Sequence, residues 1–534
     1  MADKGFGQNE KTLIEDYDFL NSLQTEFTSV AEMIVTRARE IPDRIHVRFN
    51  DESRTYAETN SKANRTANFL KKTGAGQGDV ISLMIMNSPE IYDVMFGAQK
   101  LGCVAGLINF ALKGPEIEHV LNDSKPKIVF VGSEFTDEFS KGFEASLHKP
   151  MVVEVVTGTE PAINFAHTTL GAIQKSYPDT EALIPQELDD PFLLIYSSGT
   201  TGLPKGILLS NRAQLSVCRD LTRLGLVTGN DIMLILLPMF HSNPICVWTF
   251  PITFCGQALC IRKAFSPEDF WPAITEYGIT ILMGVPAMYN YVYHSIDPDS
   301  VMRENLKLKW AFCGAAPITV ELIRGFKERF DVDIIEGYGL TEGCGVSAAN
   351  PPLGNRKVGS IGLALPEQEI RIMNDHLEEL PLGQRGEICI KGNANMNAYL
   401  NNAEATGDTL ENGWMRTGDI GYQDKDGYFY VVDRKKDMIN RGGENIYPRE
   451  IEIVLEELPE VMAVAVVGVP DDALGERVKA VLEVSKQNSL LTPDAVKKYL
   501  SNKLADYKIP EIIEFMEQIP RNQTGKILKT KLRG

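Results

Sequence analysis

The chain has 534 residues, 43% hydrophobic and 24% charged, with 54 Lys and Arg against 72 Asp and Glu and a formal net charge of −18. That length is too great for one hydrophobic core, so two or more domains are required, and the ordinary composition excludes a disordered or fibrous chain. So acidic a chain is repelled by nucleic acid and by anionic lipid, which excludes both as partners through bulk charge. Taken in order, residues 1–27 read as polar and peripheral. Thr28 and Ser29 are placed to cap a helix over 30–39. Thr55 and Glu58 have capping-box spacing and open a helix that runs to residue 72. Residues 79–85 read as a buried strand, and Asn87-Ser88-Pro89 starts a helix carried by Ile91, Val94, Met95, Ala98 and Leu101. Strands follow at 128–131 and 151–156. This alternation predicts a layered α/β architecture with a largely parallel sheet.

The eight cysteines include no C-x-x-C pair, and the closest two, Cys255 and Cys260, lie in an apolar run. They read as buried thiols of a reducing compartment rather than as zinc ligands or a disulfide framework. The N-terminus begins no apolar signal region, and no run approaches the ~20 apolar residues that span a bilayer. The expectation is a cytoplasmic protein without an integral membrane segment.

The chain is organised around Tyr196-Ser197-Ser198-Gly199-Thr200-Thr201-Gly202-Leu203-Pro204-Lys205-Gly206, between an apolar strand at 192–195 and a helix at 211–224. Glycines let the backbone approach an anion, and the hydroxyls and lysine add donors and charge. The stretch fits the description of a polyphosphate cradle, though not of a P-loop, because Pro204 precedes the lysine and Gly206 follows it; a flexible surface loop is the alternative on composition alone. Four apolar runs then end in small or polar residues. Residues 232–237 end in Pro238-Met239-Phe240-His241-Ser242-Asn243, 279–283 lead into Val285-Pro286, 309–313 end in Gly314-Ala315-Ala316-Pro317, and 332–335 end in Glu336-Gly337-Tyr338-Gly339-Leu340-Thr341-Glu342. Ligands of open α/β sheets bind beyond the carboxyl ends of strands, so the site is expected there. From 358, short strands at 369–373, 386–391 and 428–432 suggest a β subdomain. Asp433-Arg434-Lys435-Lys436-Asp437 is a charged break. Helices at 448–458 and 493–504, with strands at 461–469 and 479–484, then make a small α+β domain.

These motifs, in this order from 196 to 526, resemble those of the adenylate-forming superfamily of acyl-CoA synthetases, luciferases and peptide-synthetase adenylation domains. The resemblance implies a large N-terminal domain over 1–433, with its β subdomain over 358–433, and a small mobile domain over 434–534. It implies that Ser197, Ser198, Gly199, Thr200, Thr201, Gly202 and Lys205 hold the phosphates of ATP. Gly314, Ala315, Ala316, Glu336, Gly337, Tyr338 and Gly339 would flank the adenine, Thr341 the α-phosphate, and Glu342 a Mg²⁺ ion. Asp419 in Thr417-Gly418-Asp419 would grip the ribose, with Arg434 near it. Lys436 falls at the hinge, and Gly442 and Gly443 fall on the loop that approaches coenzyme A, where Arg441 replaces a serine common in relatives. Lys526 of Arg521-Asn522-Gln523-Thr524-Gly525-Lys526 matches the catalytic lysine, acting with Thr341 and Glu342.

The acyl pocket is expected to involve Phe240, His241, Trp248, Val285, Met288, Cys313, Gly339, Gly343 and Cys344. That set is mostly apolar, and no tryptophan follows Glu342 as in acetate-specific relatives. It predicts a medium-chain, branched, cyclic or aromatic acid; a zwitterion such as carnitine is the alternative, because aromatic rings hold quaternary ammonium groups. The activity implied is conversion of acid, ATP and coenzyme A into acyl-CoA, AMP and pyrophosphate. A stand-alone adenylation protein that loads a carrier-protein thiol is the second reading; no carrier domain follows Gly534, which favours free coenzyme A. A silent nucleotide-binding protein is the third, against which Lys205, Glu342 and Lys526 argue. A homodimer is left open.

Overall fold

A computed structural model describes residues 18–158, 160–197, 204–301, 303–471, 474–484, 491–521 and 527–533. Among them, four sheets carry the chain. The nine-stranded sheet runs in the order Leu363–Ala364, Ala348–Ala349, Ile334–Tyr338, Trp310–Cys313, Ile281–Gly284, Ile232–Ile235, Ala258–Ile261, Ile45–Phe49, Glu52–Thr55. Its inner strands are parallel, from Ile334–Tyr338 across to Ile45–Phe49. The eight-stranded sheet runs Ala398–Tyr399, Lys205–Ser210, Pro191–Ser197, Val104–Leu107, Val80–Met84, Ile128–Gly132, Met151–Val155, Thr168–Thr169. Its strands run in one direction except Lys205–Ser210, which is antiparallel to both of its neighbours.

The strands form where expected because they are buried on both faces and need no polar alternation. Every residue of Ile128–Gly132 and of Trp310–Cys313 is buried. One continuous apolar core joins residues of both sheets to the helices packed on them. Ser29 caps the helix Val30–Glu40 by accepting from Glu32 N, and both halves of the Thr55–Glu58 capping box form on Tyr56–Lys72. Such a cap contributes about 1 kcal/mol. Tyr56–Lys72 packs closely on Glu90–Lys100, because a Cβ at Gly97 would lie 2.8 Å from Thr66 Cβ.

A third, antiparallel sheet holds Gln368–Met373, Gly386–Gly392, Trp414–Gln423, Leu410–Glu411 and Phe429–Arg434. After the one-turn helix Lys435–Asp437, a fourth sheet holds Glu444–Ile446, Ile439–Arg441, Gly475–Val484, Val461–Asp471 and Ile512–Met516 around its own core. The fold is therefore α/β, with a large N-terminal domain of sheets and helices and a smaller C-terminal domain.

Three local readings change. A strand, Lys205–Ser210, stands between the Gly/Ser/Thr stretch and the helix Asn211–Arg223, so Lys205 opens a strand antiparallel to Pro191–Ser197. The strand expected at 332–335 is Ile334–Tyr338 and carries the first three residues of its motif. Asp419 stands inside the ten-residue strand Trp414–Gln423, where no strand was expected. All eight cysteines are buried and free. No helix among the described residues is long and apolar enough to cross a membrane.

Candidate active site

The two large sheets meet chemically at Glu342. This residue lies in the one-turn helix Thr341–Gly343, just beyond the strand Ile334–Tyr338. Its Oε1 accepts from the Tyr399 hydroxyl at 2.8 Å, and its carbonyl accepts from Met396 N at 2.7 Å. Tyr399 belongs to the edge strand Ala398–Tyr399, which pairs with Lys205–Ser210. Lys205 Nζ sits 5.3 Å from the Tyr399 ring centroid, within cation–π range. One tyrosine thus joins the acidic residue of one sheet to the lysine of the other. Burial, and then the neighbouring Glu342 carboxylate, push the Tyr399 hydroxyl well above its ordinary range, so it stays a donor. Beside Glu342, Thr341 Oγ1 lies 3.1 Å from Ser242 Oγ.

A second polar group forms where the third sheet meets the first. Tyr338 donates to Asp419 Oδ2 at 2.6 Å, and Arg434 Nε lies 2.6 Å from Asp419 Oδ1. Asp419 and Arg434 are direct cross-strand partners. Asp419 is buried, at 4% exposure, and these two partners take up one lone pair on each of its carboxylate oxygens. Each carboxylate oxygen keeps a second lone pair, so ribose hydroxyls can still be accepted. Glu336 accepts from Gly359 N at 2.8 Å. Burial pushes its carboxyl up to about 7, against the opposing effects of that hydrogen bond and of Arg449.

Backbone geometry at these strand ends is exacting. A Cβ at Gly337 would lie 2.0 Å from Phe312 Cζ, so only glycine lets that ring cross the strand. Ala315 holds φ +68° and Cys344 holds φ +55°. Non-glycine residues in this left-handed region cost on the order of 1–3 kcal/mol and cluster at functional sites.

Among the acyl-pocket residues, Phe240 packs edge-on against Phe110 with centroids 4.7 Å apart, and its ring lies 4.2 Å from that of His241. His241 Nε2 is buried without a hydrogen-bond partner, and burial pulls the ring down to about 4, so it is neutral near pH 7. The next residues form the π-helix Asn243–Thr249, a rare element enriched at functional sites. Its Trp248 is fully buried, 5.2 Å edge-on from Phe312. Cys344 Sγ donates to Gln214 Oε1 at 3.5 Å, and Gln214 Nε2 donates to Cys246 O at 2.7 Å. Cys313 pairs in register with Gly284, next to Val285 at the start of the helix Pro286–Ser295, which holds Met288.

The remaining expected residues follow the strand Phe429–Arg434 or lie in or flank the Gly/Ser/Thr stretch. Lys436 lies in the turn Lys435–Asp437. Gly442 and Gly443, at φ +61° and +91°, form the tip of the hairpin Ile439–Arg441 and Glu444–Ile446. Gly442 N donates to Leu474 O, Gly443 N to Asn440 Oδ1, and Arg441 Nε pairs with Glu511 Oε1 at 2.5 Å, all within the smaller domain. Ser198, Gly199, Thr200, Thr201, Gly202 and Lys526 lie outside the described residues, whereas Ser197 and Lys205 face each other as a strand pair. Tyr399 and Ser242 were not expected as site residues. Tyr399 lies in a two-residue strand with no periodicity to read, and Ser242 was noted only as part of a strand end.

Residues 34–400 match the family model of the AMP-binding enzymes, and residues 450–526 match that of the AMP-binding enzyme C-terminal domain. A feruloyl-CoA synthase from an Amycolatopsis species is 33% identical over 500 residues, which cover 93% of this chain and 97% of that protein. The long-chain-fatty-acid–CoA ligase FadD13 of Mycobacterium tuberculosis is 35% identical over 482 residues, covering 90% and 92%. The crystal structure of ATP-bound MatB from Rhodopseudomonas palustris superimposes with a TM-score of 0.87 at 27% identity, covering 94% of this chain and 98% of that one.

Proposed function

Since the chain belongs to the AMP-binding enzyme family, we propose that it joins a carboxylic acid to coenzyme A at the expense of ATP, through an acyl-adenylate. It is an AMP-forming acid–thiol ligase. The observation that carries this reading is the bridge from Glu342 through Tyr399 to Lys205, with Thr341 beside it and the Tyr338–Asp419–Arg434 group where the third sheet meets the first.

In the first half-reaction a carboxylate oxygen attacks the α-phosphorus, the bond to the β-phosphate oxygen breaks, and pyrophosphate leaves. Both reactants are anions, so catalysis is chiefly positioning and charge stabilisation. Lys205 and Lys526 supply positive charge, Thr341 a hydroxyl donor, and Asp419 with Arg434 the ribose contacts. Glu342 suits a magnesium ion: the described residues hold no cluster of three or more His, Cys, Asp or Glu, and a lone carboxylate completed by substrate phosphates is a usual Mg²⁺ arrangement. When bound, that ion neutralises phosphate charge. In the second half-reaction a thiolate sulfur attacks the acyl carbon, the acyl carbon–oxygen bond breaks, and AMP leaves. The division between the domains falls at 433/434, Lys436 is the hinge, and the Gly442-Gly443 tip admits the thiol.

The acid is apolar and larger than acetate. Phe240, Trp248, Val285, Met288, Cys313 and Cys344 are all buried, and neutral His241 adds no charge. A pyrophosphate-release panel over acids of graded size, with and without coenzyme A, tests this reading. Release is expected with medium-chain or aromatic acids. Turnover confined to acetate or to zwitterions contradicts the pocket assignment.

A further inference from the structure

The helix Gly114–Ser124 contributes nothing to the site described so far, yet two of its side chains hold residues that flank the Gly/Ser/Thr stretch. Ile117, Val120 and Leu121 bury its apolar face in a core cluster with Val129 and Val131 of the eight-stranded sheet. His119 and Asp123 stand one turn apart. His119 Nε2 lies 3.0 Å from Pro204 O, so the ring donates to that carbonyl. Asp123 Oδ2 accepts from the Tyr196 hydroxyl at 2.7 Å, and Asn401 Nδ2 donates to Asp123 O at 2.9 Å and to Oδ1 at 3.2 Å. Tyr196 precedes residues 198–203 and Pro204 follows them. A groove of about 320 Å³, lined by His119, Asp123, Pro204, Lys205, Leu400 and Asn401, opens beside these contacts.

We propose that His119 and Asp123 are positioning residues for ATP, clamping the two arms of the phosphate-binding stretch to one rigid helix. The Pro204 carbonyl shares a peptide plane with the Lys205 N–H, so holding that carbonyl fixes the plane from which Lys205 departs. The Tyr196 contact fixes the opposite strand, because Tyr196 and Gly206 are register partners. Both residues therefore act through Lys205 and its neighbours. The inference rests on the adenylate-forming reading, and binding of ATP alone separates the two.

The test compares His119→Met, which lacks a donor, with His119→Gln, whose amide N–H can replace the ring donor. Dissociation constants for ATP in magnesium buffer are read by calorimetry, beside KM for ATP, KM for the acid and the rate of thioester formation from pre-made adenylate. His119→Met is expected to weaken ATP by about tenfold, the order of one lost hydrogen bond, and His119→Gln to recover most of that loss. KM for the acid, thioester formation and the melting temperature are expected to stay at wild-type values. Tyr196→Phe, an independent arm, is expected to weaken ATP several-fold. Equal ATP affinity in the Met and Gln variants overturns the role of His119. Wild-type affinity in Tyr196→Phe overturns that of Asp123. Failure of every acid to turn over, with these ATP affinities as expected, would remove the ligase reading and leave the clamp standing.

Discussion

Tyr399→Phe deletes a single oxygen atom from the site. The lost hydroxyl donates to Glu342 Oε1 at 2.8 Å, while the ring that lies 5.3 Å from Lys205 Nζ is retained. A hydrogen bond to a charged acceptor contributes about 1.5–3 kcal/mol, and 1.36 kcal/mol corresponds to about tenfold. Adenylate formation should therefore fall about ten- to a hundredfold. Glu342 would lose the donor that holds its carboxylate in one orientation, so the magnesium concentration giving half-maximal rate should rise. Tyr399→Ala removes the ring as well and should cost a further few-fold, in line with about 0.5–1 kcal/mol for a partly exposed cation–π contact. Single-turnover adenylate formation across a magnesium series reads all three proteins. A Phe variant at the wild-type rate would refute the role of the hydroxyl. Equal rates for Phe and Ala would refute the role of the ring beneath Lys205.

Lys526→Ala is expected to slow adenylate formation by on the order of 10²–10³, the scale of losing one key electrostatic donor, while thioester formation from supplied adenylate persists; single-turnover assays of the two steps separate them. Cys344→Leu adds bulk beside Gln214, and acid preference measured over a chain-length series should move towards shorter acids. Glu336, held up to about 7 by burial, should make stability depend on pH. Its folded value lies above the ordinary value of 4.5, so the folded protein binds the extra proton between these limits, and the contribution is lost as pH rises through them. The loss is at most about 3–4 kcal/mol, and Glu336→Gln should flatten that slope in denaturant titrations between about pH 4.5 and 7.

Strands such as Ile128–Gly132 were legible because complete burial demands an unbroken apolar run, and helix starts at Ser29 and Thr55 because capping needs particular side chains. The motifs were legible as an ordered set, not singly. The strand Trp414–Gln423 was hidden by its Thr417-Gly418-Asp419, which reads as a turn; cross-strand pairing with Arg434 and a hydrogen bond from Tyr338 hold Asp419 extended and buried. Lys205–Ser210 was hidden because its Lys-Gly start looks like the end of a loop, whereas Ile207 and Leu209 are buried by pairing with Pro191–Ser197. Tyr399 meets Lys205 and Glu342 only through tertiary structure, and no local pattern announces that contact. The clamp from His119 and Asp123 is of the same kind: two polar residues on a helix acquire meaning only from what packs opposite them.

The central claim is that the acid's own oxygen becomes bonded to the α-phosphorus, and an acid labelled in both carboxylate oxygens with oxygen-18 tests it directly. After turnover with ATP and coenzyme A, mass spectrometry should find one heavy oxygen in the phosphate of AMP and one in the thioester, with none in pyrophosphate. Heavy oxygen in inorganic phosphate, with ADP as the nucleotide product, would mean that the acid attacks the terminal phosphate instead and would contradict the account.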